Sequence, residues 1–113
     1  MEQRPTVWVV YNDGRRNLSK AERYGVLKDV FVHQVKDDAW KAAVDHVRYL
    51  FQDYRDGDYI LPVGSHIMTA VVTTVALENS ETQEVKFLPW DNREFDYKDF
   101  AVDFSDIDPK EDV

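Results

Sequence analysis

The sequence predicts an α/β domain: a small Rossmann-like, mostly parallel sheet in the order 2-1-3-4, with helices on both faces and a C-terminal hairpin at one edge. Three observations predict it. Thr6–Tyr11 is an unbroken apolar, β-branched run, too short for a helix and typical of a strand buried on both faces. Trp40, Ala43, Val44, Val47, Leu50, Phe51 and Tyr54 recur at helical spacing, with Asp45, Arg48, Gln52 and Arg55 on the opposite side. Strand-like and helix-like segments alternate along the chain, and right-handed crossovers turn that alternation into a parallel sheet.

The first strand ends in Asn12-Asp13-Gly14, a turn sequence. Ser19-Lys-Ala-Glu22 then fits a capping box, with Gly25 placed to close a short helix. Val30–Val35 reads as the second strand, and Asp37 or Asp38 offers an N-cap to the long amphipathic helix. Asp56-Gly57-Asp58 punctuates the chain before a third strand over Tyr59–Val63, whose Pro62 removes one ladder donor. After Gly64-Ser65, residues 66–77 are apolar nearly all round, which predicts a buried helix rather than a strand of unusual length. Glu84–Pro89 is the fourth strand, and Phe95–Phe104 follows as a fifth after the turn at Asp91-Asn92-Arg93.

A chain of 113 residues holds one core of this kind, and 43% hydrophobic content with three Trp, six Tyr and six Phe is enough to fill it. We take residues 1–104 as one α/β domain and 105–113 as an acidic, flexible tail. The net charge of −8 disfavours direct nucleic-acid binding, since 14 basic residues face 22 acidic ones. Six of those eight negative charges come from residues 91–113, where nine acidic side chains outnumber three basic ones. The absence of cysteine excludes disulfides, thiol catalysis and cysteine-based zinc sites. There is no apolar run of 18 residues and no charged-then-apolar leader, so neither a membrane span nor a signal peptide is expected.

In the predicted sheet the first and third strands flank the point where strand order reverses, the usual ligand crevice of open α/β sheets. Two loops meet there. Asn12-Asp13-Gly14-Arg15-Arg16-Asn17 supplies two guanidinium groups, a carboxylate and amides suited to an anionic small molecule. Its ordinary use is a tight turn in which Asn and Asp cap the local backbone. Gly64-Ser65-His66 supplies helix-start amides, a hydroxyl and an imidazole, and its ordinary use is a capping serine beside a bystander histidine. A third loop, Trp90-Asp91-Asn92-Arg93, could stack a ring or simply turn a hairpin. No phosphate-cradling glycine motif, nucleophile elbow or metal-ligand spacing occurs, so we assign no catalytic residue, no metal and no cofactor.

Taken together, Tyr11–Gly25, Gly57–Ser65 and Phe87–Arg93 resemble landmarks of small uncharacterised α/β proteins of tailed bacteriophages, over roughly residues 6–97. The resemblance implies a non-virion protein acting in the host cytoplasm, and it carries no reaction, cofactor or catalytic residue.

Two functions are then open. The leading one is a non-catalytic accessory protein that binds a host protein with a basic surface. It would use the acidic, aromatic C-terminal segment, with Glu94, Phe95, Asp96, Tyr97, Asp99 and Phe100 as the contact residues and Phe104 beyond them. Such alternation also suits an edge strand whose apolar face finishes the core. The other function is a binder, or an enzyme, for a small anionic or nucleotide-like ligand at the ends of the first and third strands. Asn12, Asp13, Arg15, Arg16, Ser65 and His66 would hold that ligand.

Overall fold

The computed structural model describes residues 4–106. The expected tail lies outside the described residues from position 107 onward. Five strands form the main sheet in the order β2-β1-β3-β4-β7. These are β1 (Thr6–Tyr11), β2 (Val26–Phe31), β3 (Tyr59–Leu61), β4 (Glu84–Phe87) and β7 (Phe100–Asp103). The first four run parallel and β7 closes one edge antiparallel to β4. The remaining two strands, β5 (Trp90–Asp91) and β6 (Asp96–Tyr97), pair in a small hairpin of their own.

Strand β1 lies inside the sheet, between β2 and β3, and its side chains suit two dry faces. Trp8 and Val10 join a cluster with Ala43 and Val47 of α1 (Trp40–Leu50) and Met68, Val72, Val75 and Ala76 of α2 (His66–Glu78). Val7 and Val9 face the other way, onto Leu18, Ala21, Tyr59, Leu61, Leu88 and Tyr97. Helices therefore cover both faces, but unequally. The chain steps one way from β1 to β2 and the other way from β2 through β3 to β4. Right-handed crossovers place the first connection on one face and α1 and α2 together on the other. The first connection is only a 3-10 helix, Ser19–Arg23, and the β5–β6 hairpin completes the cover beside it.

Several boundaries differ from the sequence reading. The second strand is Val26–Phe31, not Val30–Val35, because parallel pairing starts β2 beside the start of β1, with Thr6 opposite Val26. As an edge strand it leaves Val26, Lys28 and Asp29 exposed, so it lacks the apolar run expected of a buried one. Gly25 does not close a helix. A Cβ there would lie 2.2 Å from the Pro5 carbonyl oxygen, which also accepts the Val26 N–H at 2.9 Å. The Ser19–Glu22 capping box does not form either: Leu18 occupies the cap, and the Asn17 side chain accepts the Ser19 N–H at 2.9 Å. Ala39 starts α1 with no side-chain cap, so neither Asp37 nor Asp38 serves it.

The third and fourth strands end at Leu61 and Phe87, just before or near the prolines at 62 and 89 that cannot donate to a ladder. The expected fifth strand is split. Phe95 has a φ of 52°, and the Lys98 N–H goes to the Pro89 carbonyl, so residues 96–97 serve the hairpin while 100–103 serve the sheet. The helix at 66–78 forms as expected, capped by Ser65, but Ile67 is 59% exposed and Ala70 and Thr74 are also open.

Candidate functional site

Parallel strands end on the same side of a sheet, so the loops after β1, β3 and β4 converge. Strand order reverses between β1 and β3, and a crevice of about 430 Å³ opens there. Leu61 and Leu88, both fully buried, belong to its lining, together with Pro62, Val63 and Gly64 from the turn after β3. Gly64 has a φ of +121°, and a Cβ on it would lie 2.6 Å from the Tyr11 Cβ, so only glycine fits this turn.

Trp90 and Tyr97 form an aromatic wall, packed edge to face with centroids 5.1 Å apart. The Trp90 indole N–H donates to Asn92 Oδ1 at 3.0 Å, and the Lys20 ammonium stands 5.7 Å from the Trp90 ring centroid. Lys20 also donates to the Phe95 carbonyl. Burial pushes the Tyr97 hydroxyl above its ordinary pKa, and the nearby Arg16 charge pulls it back. Arg16 and Asn17 complete the lining from the loop after β1.

Of the six residues expected to hold a ligand, the structure places Arg16 in the crevice lining. Asn12 shapes its own turn by accepting the Gly14 N–H at 2.9 Å, and it donates to Asp29 at 3.2 Å. Asp13 accepts the Arg15 N–H at 2.9 Å, while the Arg15 side chain is solvent-exposed. Ser65 accepts the Met68 N–H at 3.1 Å as the cap of α2. His66 lines a separate apolar groove between α1 and α2, with Val44, Ile67 and Val71. Leu88 and Tyr97 reach the crevice because the β5–β6 hairpin folds back beneath the sheet, and the one sequence signal for that is the turn at Asp91-Asn92-Arg93.

The C-terminal segment is equally divided. Tyr97 is buried in the core, contrary to its expected exposure, and Asp96 pairs with Arg23 at 2.6 Å. Glu94, Phe95, Asp99 and Phe100 are exposed. Asp99 accepts the Tyr59 hydroxyl at 3.4 Å, a long and weak contact.

Residues 5–104 match the family described as Phage Pam3 gp32-like protein. The chain belongs to that family. The match covers every element from β1 to β7 of this phage Pam3 gp32-like protein. No curated protein and no solved structure matches the chain. Among the described residues of this phage family member, no helix is long and apolar enough to cross a membrane.

Proposed function

We propose that this phage protein is a non-catalytic accessory protein that binds a host protein with a basic surface, through the β7 edge of its sheet. The observation that carries the reading is the state of that edge. Strand β7 is last in the sheet, paired to β4 on one side and to nothing on the other among the described residues. Its register sets Phe100 opposite Phe87 and Val102 opposite Val85, so both stand on the α-helix face, beyond the helices that cover the rest of it. Phe100 is 53% exposed and Phe104 42%.

An unpaired strand edge with uncovered aromatics is a template for strand addition. Asp99, Asp103 and Asp106, all exposed, flank these aromatics. A second copy would bring like charges together, so the edge suits a partner strand or loop rich in Lys and Arg. Membership of a phage family supports a bacterial host protein as that partner.

The test is capture from bacterial lysate on the immobilised protein, with Phe100→Ser/Phe104→Ser alongside and circular dichroism to verify folding. A protein retained by the wild type, released by salt and lost on the double variant supports the reading. Equal capture by both, or none by either, overturns it.

A further inference from the structure

We propose that the crevice at the ends of β1, β3 and β4 binds a nucleoside monophosphate, with its base on the apolar floor beside Trp90 and its phosphate on Arg16. This reading is independent of the β7 edge. The first observation is charge. The chain carries 22 acidic residues against 14 basic ones, yet none of the residues lining the crevice is acidic. Two other arginines are matched to carboxylates, Arg23 to Asp96 at 2.6 Å and Arg48 to Glu78 at 2.8 Å. Arg16 has no hydrogen bond or ion pair among the described residues. The one charged residue of the crevice lining is therefore positive, with the Lys20 ammonium close by over the Trp90 ring and also near the Asp96 carboxylate. A local field of this sign favours an anion, and a guanidinium fits phosphate oxygens two at a time.

The second observation is shape and lining. About 430 Å³ is far more room than an inorganic anion needs and falls within the range of small-molecule pockets. Val63 and Trp90 give it accessible apolar surface over the fully buried Leu61 and Leu88, with Tyr97 packed against Trp90. A planar ring can stack there on Trp90, which is 44% exposed, while its polar edge keeps water or protein partners. The Asn17 amide, on the same rim as Arg16, has its oxygen taken by the Ser19 N–H at 2.9 Å, which leaves its N–H groups to donate to a ribose hydroxyl or a base edge. Ring and anion in one molecule of this size describe a nucleoside monophosphate.

The third observation is rigidity. The turn after β3 is held by the Tyr11 N–H on the Val63 carbonyl at 2.9 Å, and the wall by the Leu88 N–H on the Ile60 carbonyl at 2.9 Å. A site built on strand ends loses little freedom when occupied.

The experiment titrates the wild type and Arg16→Ala with adenosine 5′-monophosphate, adenosine and inorganic phosphate, following amide shifts by NMR. The expected result is saturable binding of the monophosphate, with shifts at residues 61–64 and 88–90. Arg16→Ala should weaken it by about tenfold or more, the loss of one charge-assisted pair. Adenosine alone should bind equally to both proteins, and phosphate alone more weakly than the monophosphate. Because Arg16 is exposed and unpartnered, its removal leaves the fold intact, which the spectrum itself verifies. No monophosphate binding at millimolar concentration, shifts elsewhere on the fold, or equal affinity for Arg16→Ala would overturn the proposal.

Discussion

The carboxylate of Asp58 accepts the indole N–H of Trp8 at 3.0 Å, linking the turn before β3 to the largest side chain of the core. The same carboxylate accepts the Thr6 N–H at 2.9 Å and the Arg55 N–H at 3.0 Å. Asp58 is 5% exposed, so these donors take the place of water around its charge. The cluster pins the first residue of β1 to the start of β3, the two strands on which the crevice is built.

Asp58→Ala should therefore cost about 2–4 kcal/mol, because it leaves buried donors without an acceptor. Asp58→Asn keeps one acceptor oxygen and should cost less. Urea unfolding of both variants measures this, and a loss under about 0.5 kcal/mol for the alanine variant would contradict the role given to the cluster.

Tyr54 stacks on Phe51 at 5.2 Å with its hydroxyl buried and without a hydrogen-bond partner. Tyr54→Phe should leave stability equal or raise it by about 1 kcal/mol, since no bond is lost and a desolvated polar atom is removed. Burial, aided by the charges of Asp56 and Asp58, pushes the Tyr54 hydroxyl up to about 12. Its folded value lies above its unfolded one, so the associated stability is present below about pH 10 and lost as pH rises toward 12. The phenylalanine variant should lose less stability than the wild type over that alkaline window.

Acid should act through a different set of groups. The Arg48 guanidinium holds Glu78 below the usual carboxylate range, and Arg23 does the same for Asp96. At Asp56, burial pushes the carboxyl up, but the Ser80 hydroxyl and the amides of Thr82 and Glu81 outweigh it and the net shift is downward. Each folded value is depressed, so the stability these groups contribute is present above about pH 4 and lost as pH falls below it. Thermal unfolding from pH 6 to pH 2 should show this loss, and Glu78→Gln with Asp96→Asn should flatten the slope. All three carboxylates are solvent-accessible, so high salt should weaken the effect.

Gly64→Ala should be more costly than an ordinary surface substitution. It forces an alanine to a φ of +121° and sets its Cβ 2.6 Å from that of Tyr11. Strain at such a backbone position costs about 1–3 kcal/mol, and the turn bordering the crevice should shift with it. A denaturation midpoint within error of the wild type would show that this turn relaxes freely.

How much of this was legible in the sequence follows from how local each signal is. The first strand, the amphipathic helix and the Ser65 cap are written in contiguous residues whose spacing and chemistry act over one or two turns. Their alternation and the handedness of crossovers allow the 2-1-3-4 order of a Rossmann-like sheet without dictating it, and the structure has that order. The capping assignments at Ser19, Asp37 and Asp38 failed because a cap depends on how the preceding loop enters the helix, which sequence spacing does not specify. The second strand was misplaced for a related reason. Its start is decided by pairing with β1 and by the close approach of Gly25 to Pro5, both contacts between segments distant in sequence.

The address of the crevice came from the sequence, and its lining from the tertiary structure. Given the Rossmann-like 2-1-3-4 order, strand order reverses between β1 and β3, so the loops after those strands were identifiable as residues alone. Which side chains face the opening depends on competition within each loop. Asn12, Asp13 and Ser65 are short polar residues that satisfy nearby backbone amides and are consumed by their own turns. Arg16 reaches past them, and Leu88, Trp90 and Tyr97 are delivered by a hairpin that folds beneath the sheet. Hydrophobic periodicity acts along the chain and can be read from it, whereas burial of a loop residue depends on what packs above it, which only the folded chain decides.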